Sequence, residues 1–264
     1  MPRSIDLHPI VKLVSGSFIT LIAVSCGVSA GPETSNENVY GGIKTAPEAW
    51  SNVVGIISTE RGLYCTGTAI TRTVVITAAH CAGLPSSMVS VYVGNGQSGG
   101  AVTGQYQAAK IKASPKWDKD EGGYDIAYIV LKKPLQLPAS SFTPVLTNES
   151  EIEELLAIGK TGQIVGFGER ENGNSGEKFE VSTTITAKND LEITLGGEGK
   201  DSCYGDSGGP IFGKLLNGEW RVYGVTSRGG ECGTGGIYGL MHASICWVQS
   251  DSGVNLALPA GTCK

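Results

Sequence analysis

From Val39 to Met241 the chain breaks into about a dozen short runs of β-type residues, each ended within a few positions by Gly, Pro, Asn or Ser. The clearest are Val53–Ile57, Thr68–Ile70, Val74–Thr77, Val89–Val93, Ile126–Leu131, Gln163–Gly166, Lys178–Ile185, Leu191–Leu195, Arg221–Ser227 and Ile237–Met241. Their β-branched and aromatic content, bounded by turn residues, predicts strands. Glycine supplies 39 of the 264 residues, about twice its usual ~7% share, which suits many tight turns and opposes long helices or a coiled coil. Helical pattern is scarce. Ser150 with Glu153 predicts a cap for a brief helix through Leu155 and Leu156, and Ala243–Ser250 predicts a terminal helix with Ile245 and Val248 on one face. Lys133 to Pro138 reads as an extended connector, because its two prolines bar a helix. These signals predict an all-β barrel or sandwich architecture, divided near the middle.

Composition narrows the partners and the compartment. A net charge of −5 with no Lys/Arg cluster argues against nucleic acid. Seven cysteines is an odd number. Arg3 and Lys12 precede a mostly apolar stretch, Leu13 to Cys26, followed by small residues at Val28-Ser29-Ala30. This layout predicts a secretory signal over residues 1–30, its apolar run too short for a comfortable membrane span. Removal after Ala30 takes Cys26 away and leaves Cys65, Cys81, Cys203, Cys232, Cys246 and Cys263, an even set suited to an extracellular or periplasmic compartment. Lipid attachment at Cys26 is the competing reading. The polar residues 31–38 read as a pro-segment and 39–264 as the mature domain.

The chemistry concentrates in three segments. In Gly205-Asp206-Ser207-Gly208-Gly209-Pro210 the glycines permit a sharp turn that exposes a serine hydroxyl and frees backbone N–H groups for a developing oxyanion. Such a loop taken alone is equally a plain turn. Thr77-Ala78-Ala79-His80-Cys81 places one of the three histidines after a β run. His8 lies in the leader, and His242, late in the chain, reads as structural. Asp125 heads the apolar run Ile126–Leu131, where an Asp is ordinarily a turn residue. If buried, it needs a partner such as an imidazole N–H. His80, Asp125 and Ser207 together supply base, orienting group and nucleophile.

With these motifs in view, residues Val39 to Gln249 resemble the trypsin/chymotrypsin family of serine endopeptidases. The resemblance implies two packed six-stranded antiparallel Greek-key barrels with a short C-terminal helix, the first over about residues 39–135 and the second over about 148–264. It implies Ser207 as nucleophile, His80 as proton carrier, Asp125 as the residue fixing the imidazole tautomer, and the N–H groups of Gly205 and Ser207 as oxyanion hole. Ser227 matches the serine that supports the catalytic Asp. Disulfides Cys65–Cys81 and Cys203–Cys232 are implied, which leaves Cys246 and Cys263 to pair with each other. Asp201 matches the pocket floor of members that cleave after Arg or Lys, and Gly229 and Gly236 match the pocket walls. Protein or peptide substrates, possible protein inhibitors and a monomeric state follow from the same likeness.

Three features depart from the family pattern. Arg228 stands where an aromatic wall is usual, so it is expected either to alter the upstream subsites or to fold toward Asp201 and compete with substrate. Val39-Tyr40-Gly41-Gly42 matches an activated N-terminus with Asp206 as its partner, yet the preceding residue is Asn38 rather than Arg or Lys. A zymogen cut by another protease, or by trimming near the signal, is therefore expected. Gly94–Gln105 contains no carboxylate for a calcium loop, and no His/Cys cluster has zinc spacing, so neither metal nor cofactor is expected. The alternatives are a catalytically silent protease homologue acting as a binding module, and a ligand-carrying β-barrel, which leaves the three motifs without a role.

Overall fold

The computed structural model describes residues 39–263; the leader, Cys26 and the pro-segment lie outside the described residues. A two-residue strand, β1 (Ile43–Lys44), comes first. Then β2 (Val53–Ser58), β3 (Gly62–Ala69), β4 (Val74–Thr77), β5 (Val89–Gly94), β6 (Val102–Ala113) and β7 (Ala127–Leu131) close a barrel in the order β2-β3-β4-β7-β6-β5, antiparallel throughout. A short helix, α1 (Glu149–Leu155), follows the connector. The strands β8 (Thr161–Gly166), β9 (Phe179–Lys188), β10 (Glu192–Leu195), β11 (Pro210–Lys214), β12 (Trp220–Gly229) and β13 (Gly236–Leu240) build the second antiparallel barrel. Pairing of β8 with β9 closes it, and β1 adds to β9 with Ile43 opposite Glu180. The chain ends on α2 (Ile245–Ser252). Among the described residues no helix is long and apolar enough to cross a membrane.

Burial explains why some strands were plain in the sequence and others were not. Every residue of Val74–Thr77 is buried, as are all of Val53–Ser58, so both appear as unbroken apolar or small runs. The long strand β6 has a half-exposed, Gln- and Lys-rich pattern that masks its pairing with β5 and β7. Helix α1 is capped by Asn148, whose side chain accepts from the N–H groups of Ser150 and Glu151, rather than by Ser150. Helix α2 starts two residues later than the sequence suggests, after a tight turn at Met241–Ala243. Its buried Ile245 and Val248 join the larger core cluster, which runs from the first barrel into Val165, Phe212, Val222 and Val225 of the second. Asp251 fastens it there, accepting from Lys110 Nζ at 3.1 Å, Lys112 Nζ at 2.6 Å and the Tyr128 hydroxyl. The helix thus ties the end of the chain across to the first barrel and fixes the two halves around the cleft.

Six cysteines form three disulfides, Cys65–Cys81, Cys203–Cys232 and Cys246–Cys263. The first two lie beside His80 and the Ser207 loop, and the third holds the segment after α2.

Candidate active site

The cleft residues sit where strands end. His80 lies in the one-turn helix Ala79–Ala82 immediately after β4, whose last residue, Thr77, anchors the turn by donating its hydroxyl to Thr66 O at 2.9 Å. Asp125 lies at the entrance to β7, after Gly122, Gly123 and Tyr124, all with positive φ (+72°, +71° and +48°). Ser207 sits on the loop between β10 and β11. Its carbonyl accepts from Thr66 N of the first barrel at 2.8 Å, and Gly208 N–H donates to Thr226 O at 2.8 Å. A side chain at Gly208 (φ +79°) would put its Cβ 2.0 Å from Thr77 Oγ1, so only glycine lets the serine loop approach the histidine strand this closely.

Asp125 receives three hydrogen bonds. Its Oδ2 lies 2.8 Å from His80 Nδ1 and accepts from Ser227 Oγ at 2.6 Å, while Oδ1 accepts the His80 backbone N–H at 3.0 Å. Burial pushes the carboxyl up, but the His80 bonds and charge together with the Ser227 hydroxyl outweigh it and hold Asp125 below the ordinary carboxylate value. Among the described residues no hydrogen bond joins the Ser207 hydroxyl to His80, and the N–H groups of Gly205 and Ser207 have no protein acceptor. Among the described residues these two donors and the Ser207 hydroxyl thus have no protein partner. Cys65, His80 and Cys81 cluster closely, yet both sulfurs are consumed in their disulfide and offer no thiolate to a metal.

Next to Ser207 opens a cavity of about 260 Å³ lined by Asp201, Ser202, Cys203, Ser227, Arg228 and Gly229 among others. Gly229 on β12 pairs with Gly236 on β13, and a Cβ at 236 would stand 3.0 Å from Asp201 Oδ1. Asp201 is buried and accepts from Tyr238 Oη at 2.9 Å, Ser202 N at 2.7 Å and Gly235 N at 2.9 Å. Burial still pushes its carboxyl above the usual range, against these bonds. Asp206 is wholly buried and accepts from Gly168 N (2.8 Å) and Cys203 N (2.9 Å). Burial pushes it up to about 6, and among the described residues it has no ion-pair partner.

A protein-family model described as Trypsin matches residues 39–247. The chain belongs to the trypsin family of serine endopeptidases. Chymotrypsin-like elastase family member 1 of Macaca fascicularis is 32% identical over 233 residues, covering 80% of this chain and 85% of the relative. Glucanase inhibitor protein 3 of Phytophthora infestans is 28% identical over 263 residues, covering 91% and 97%. Trypsin 5G1 of Aedes aegypti is 26% identical over 242 residues, covering 83% and 87%.

Within this trypsin-family cleft one expectation is corrected. Arg228 does not fold toward Asp201. It makes a bidentate ion pair with Glu192 on β10, Nη1 to Oε1 at 2.5 Å and Nη2 to Oε2 at 2.9 Å, because that carboxylate faces it across the sheet while Asp201 is already satisfied by Tyr238 and two amides. Val39 is buried in the core of the second barrel, the same half that carries Asp206. Sequence reasoning missed Glu192, Tyr238 and Thr66. Tyr238 was within reach, since it stands two residues after Gly236 on a strand and so on the same face. Glu192 and Thr66 gave no such signal, being ordinary strand residues whose partners come from distant segments.

Proposed function

We propose that this trypsin-family protein is an exported endopeptidase that cleaves protein or peptide chains after Arg or Lys and is made as a zymogen. Ser207 Oγ attacks the scissile carbonyl carbon while His80 Nε2 takes its proton. The tetrahedral oxyanion is held by the N–H groups of Gly205 and Ser207. Collapse expels the amine, which His80 protonates, and leaves an acyl-enzyme; water then repeats the sequence and releases the acid. Asp125, bonded to Nδ1–H, fixes the tautomer that leaves Nε2 free to accept, and stabilises the imidazolium formed in each half-reaction. Ser227 keeps that carboxylate oriented.

The observation that carries the specificity is the buried Asp201 carboxylate at the glycine-walled cavity beside Ser207. A substrate guanidinium or ammonium entering there would meet a negative group already oriented by Tyr238, and the pairing would offset the desolvation both charges suffer. The relatives named as elastases favour a second reading, a preference at the cleaved bond other than Arg or Lys. An ionisable carboxylate in the cavity argues against it, since an apolar side chain would leave that charge unpaired. A binding-only role has a relative whose name denotes an inhibitor, but the presence of His80, Asp125 and Ser207 together supports catalysis.

For activation, cleavage of the Asn38–Val39 bond would create an ammonium at a residue whose side chain is already seated in the second barrel. Asp206, with no cation of its own among the described residues, is the partner. The leader over 1–30 and three disulfides support export to an oxidising compartment. A fluorogenic library varied at the cleaved position, assayed on protein whose N-terminus has been sequenced, tests the whole reading. The expected result is an N-terminus at Val39 and Arg or Lys preferred over every other residue. Faster turnover of Ala or Phe substrates would overturn the specificity.

A further inference from the structure

We propose that the Glu192–Arg228 ion pair is a charge-compensated brace that positions Asp125, making both of them positioning residues for the reaction. The proposal rests on the catalytic reading of His80, Asp125 and Ser207 given above. The turn that delivers Asp125 is strained. Three successive residues have positive φ, and one of them, Tyr124, carries a side chain that disfavours that conformation. Such a turn persists only where its surroundings hold it.

Glu192 and Arg228 provide that hold from two strands of the second barrel. Glu192 Oε1 accepts the Gly123 N–H at 2.9 Å, tying the turn to β10. The guanidinium that Glu192 grips lies flat against the turn, for a Cβ at Gly122 would stand 2.7 Å from Arg228 Nη2. Arg228 Nη1 also lies 3.4 Å from Ser227 Oγ, whose hydrogen reaches Asp125 Oδ2 at 2.6 Å. A continuous polar chain thus runs from Glu192 through Arg228 and Ser227 to Asp125 and His80. The Glu192 side chain is only 12% exposed, so its charge has little water to screen it. The Arg228 hydrogen bonds in turn hold its carboxyl below the ordinary value, against burial.

The pair is electrically neutral as a unit, and this gives the proposal a signature that packing alone lacks. The charged groups about Asp125 are His80 from the turn after β4, Arg228 from β12 and Glu192 from β10, with Lys116 over the Tyr124 ring at 5.0 Å. Glu192→Gln keeps the shape and the acceptor for Gly123 N–H but leaves the guanidinium uncompensated near the Asp125–His80 pair. The added positive charge opposes imidazolium formation and moves the acid limb of the kcat/KM profile to lower pH. Arg228→Gln leaves the Glu192 carboxylate uncompensated and moves the limb to higher pH. The double variant is neutral again and returns the limb to its original position. Lys116 is unchanged in all three and cancels.

The experiment uses an Nα-blocked arginine p-nitroanilide, whose single residue occupies the Asp201 cavity alone. A separate aliquot of the wild-type protein, activated at Val39, is labelled at Ser207 with a fluorophosphonate to establish that the site is competent. The expected result is opposite displacements of about half a pH unit for the two single variants, cancellation in the double variant, and a kcat loss of roughly tenfold in each single, with KM within about twofold for Glu192→Gln, the partner that does not line the Asp201 cavity. Limbs that stay fixed, or that move in the same direction in both singles, overturn the brace while leaving the catalytic reading intact. A wild-type protein that neither labels nor turns over overturns the catalytic reading, and the brace with it.

Discussion

Asp206 is a wholly buried carboxylate that lacks a cation among the described residues, and its replacement by Asn isolates the consequence of that charge. In the uncut chain its carboxyl is pushed up to about 6, against an ordinary value of 3.8. Because the folded state holds the proton more tightly than the unfolded state, the group's contribution is fully favourable below about pH 4 and is lost as pH rises through 6. The difference between those limits corresponds to about 3 kcal/mol. For a domain of this size that is roughly 6–12 °C in melting temperature. Thermal unfolding of the uncut protein, with Ser207→Ala to prevent self-digestion, is measured between pH 4 and 7.5 beside the Asp206→Asn form. The Asn form has lower stability overall, because a carboxamide accepts from only one of the Gly168 and Cys203 amides. Its decline with pH, however, is shallower by about 3 kcal/mol. A chain beginning at Val39 gains stability over the uncut chain as pH rises above 6, where ammonium and carboxylate are both charged. Parallel curves for the parent and the Asp206→Asn form would refute the reasoning, since they would mean that the buried carboxyl carries no linked proton.

Three further outcomes follow from the geometry. Asp125→Asn presents an amide to His80 Nδ1, turns the imidazole to the tautomer with hydrogen on Nε2, and lowers kcat by about 10⁴-fold with little change in KM, as single-turnover kinetics would show. Asp201→Ser lowers kcat/KM for Arg substrates by roughly 10²–10³-fold, through loss of a desolvated ion pair, while small apolar residues improve in a side-by-side library. Replacing Cys246 and Cys263 together with Ser frees a cross-link of sequence separation 17 and lowers unfolding stability by about 3 kcal/mol in calorimetry. Its kcat/KM stays unchanged, because the bridge lies away from the cleft.

The two barrels were legible wherever strands are buried on both faces, as in Val53–Ser58, Val74–Thr77 and Ala127–Leu131. Strand β6 was not, because a half-solvated strand rich in Gln, Lys and Ala shows no apolar alternation. Strand β11 was hidden for another reason: Pro210 opens it within the glycine-rich serine loop, so it read as a continuation of the turn. The positions of His80, Asp125 and Ser207 could be named from local motifs, since strand ends and glycine turns are local chemistry, whereas Asp201 was named only through the family resemblance. Glu192 could not be named, because its meaning depends on a cross-sheet partner and on the turn before β7. Arg228 was visible as a departure from pattern, but the sequence could not tell which carboxylate, Asp201 or Glu192, would take it.

Whether Ser207 is the nucleophile of a cleft that takes cationic side chains is decided by covalent labelling. The probe is a diphenyl phosphonate that carries an amidine in place of the Arg side chain, and the modified residue is located by peptide mass spectrometry. One adduct per chain is expected, on Ser207, suppressed by benzamidine, absent from Ser207→Ala, and strongly slowed in Asp201→Ser. An active protein labelled at another residue, or one whose labelling is indifferent to Asp201, would contradict that assignment.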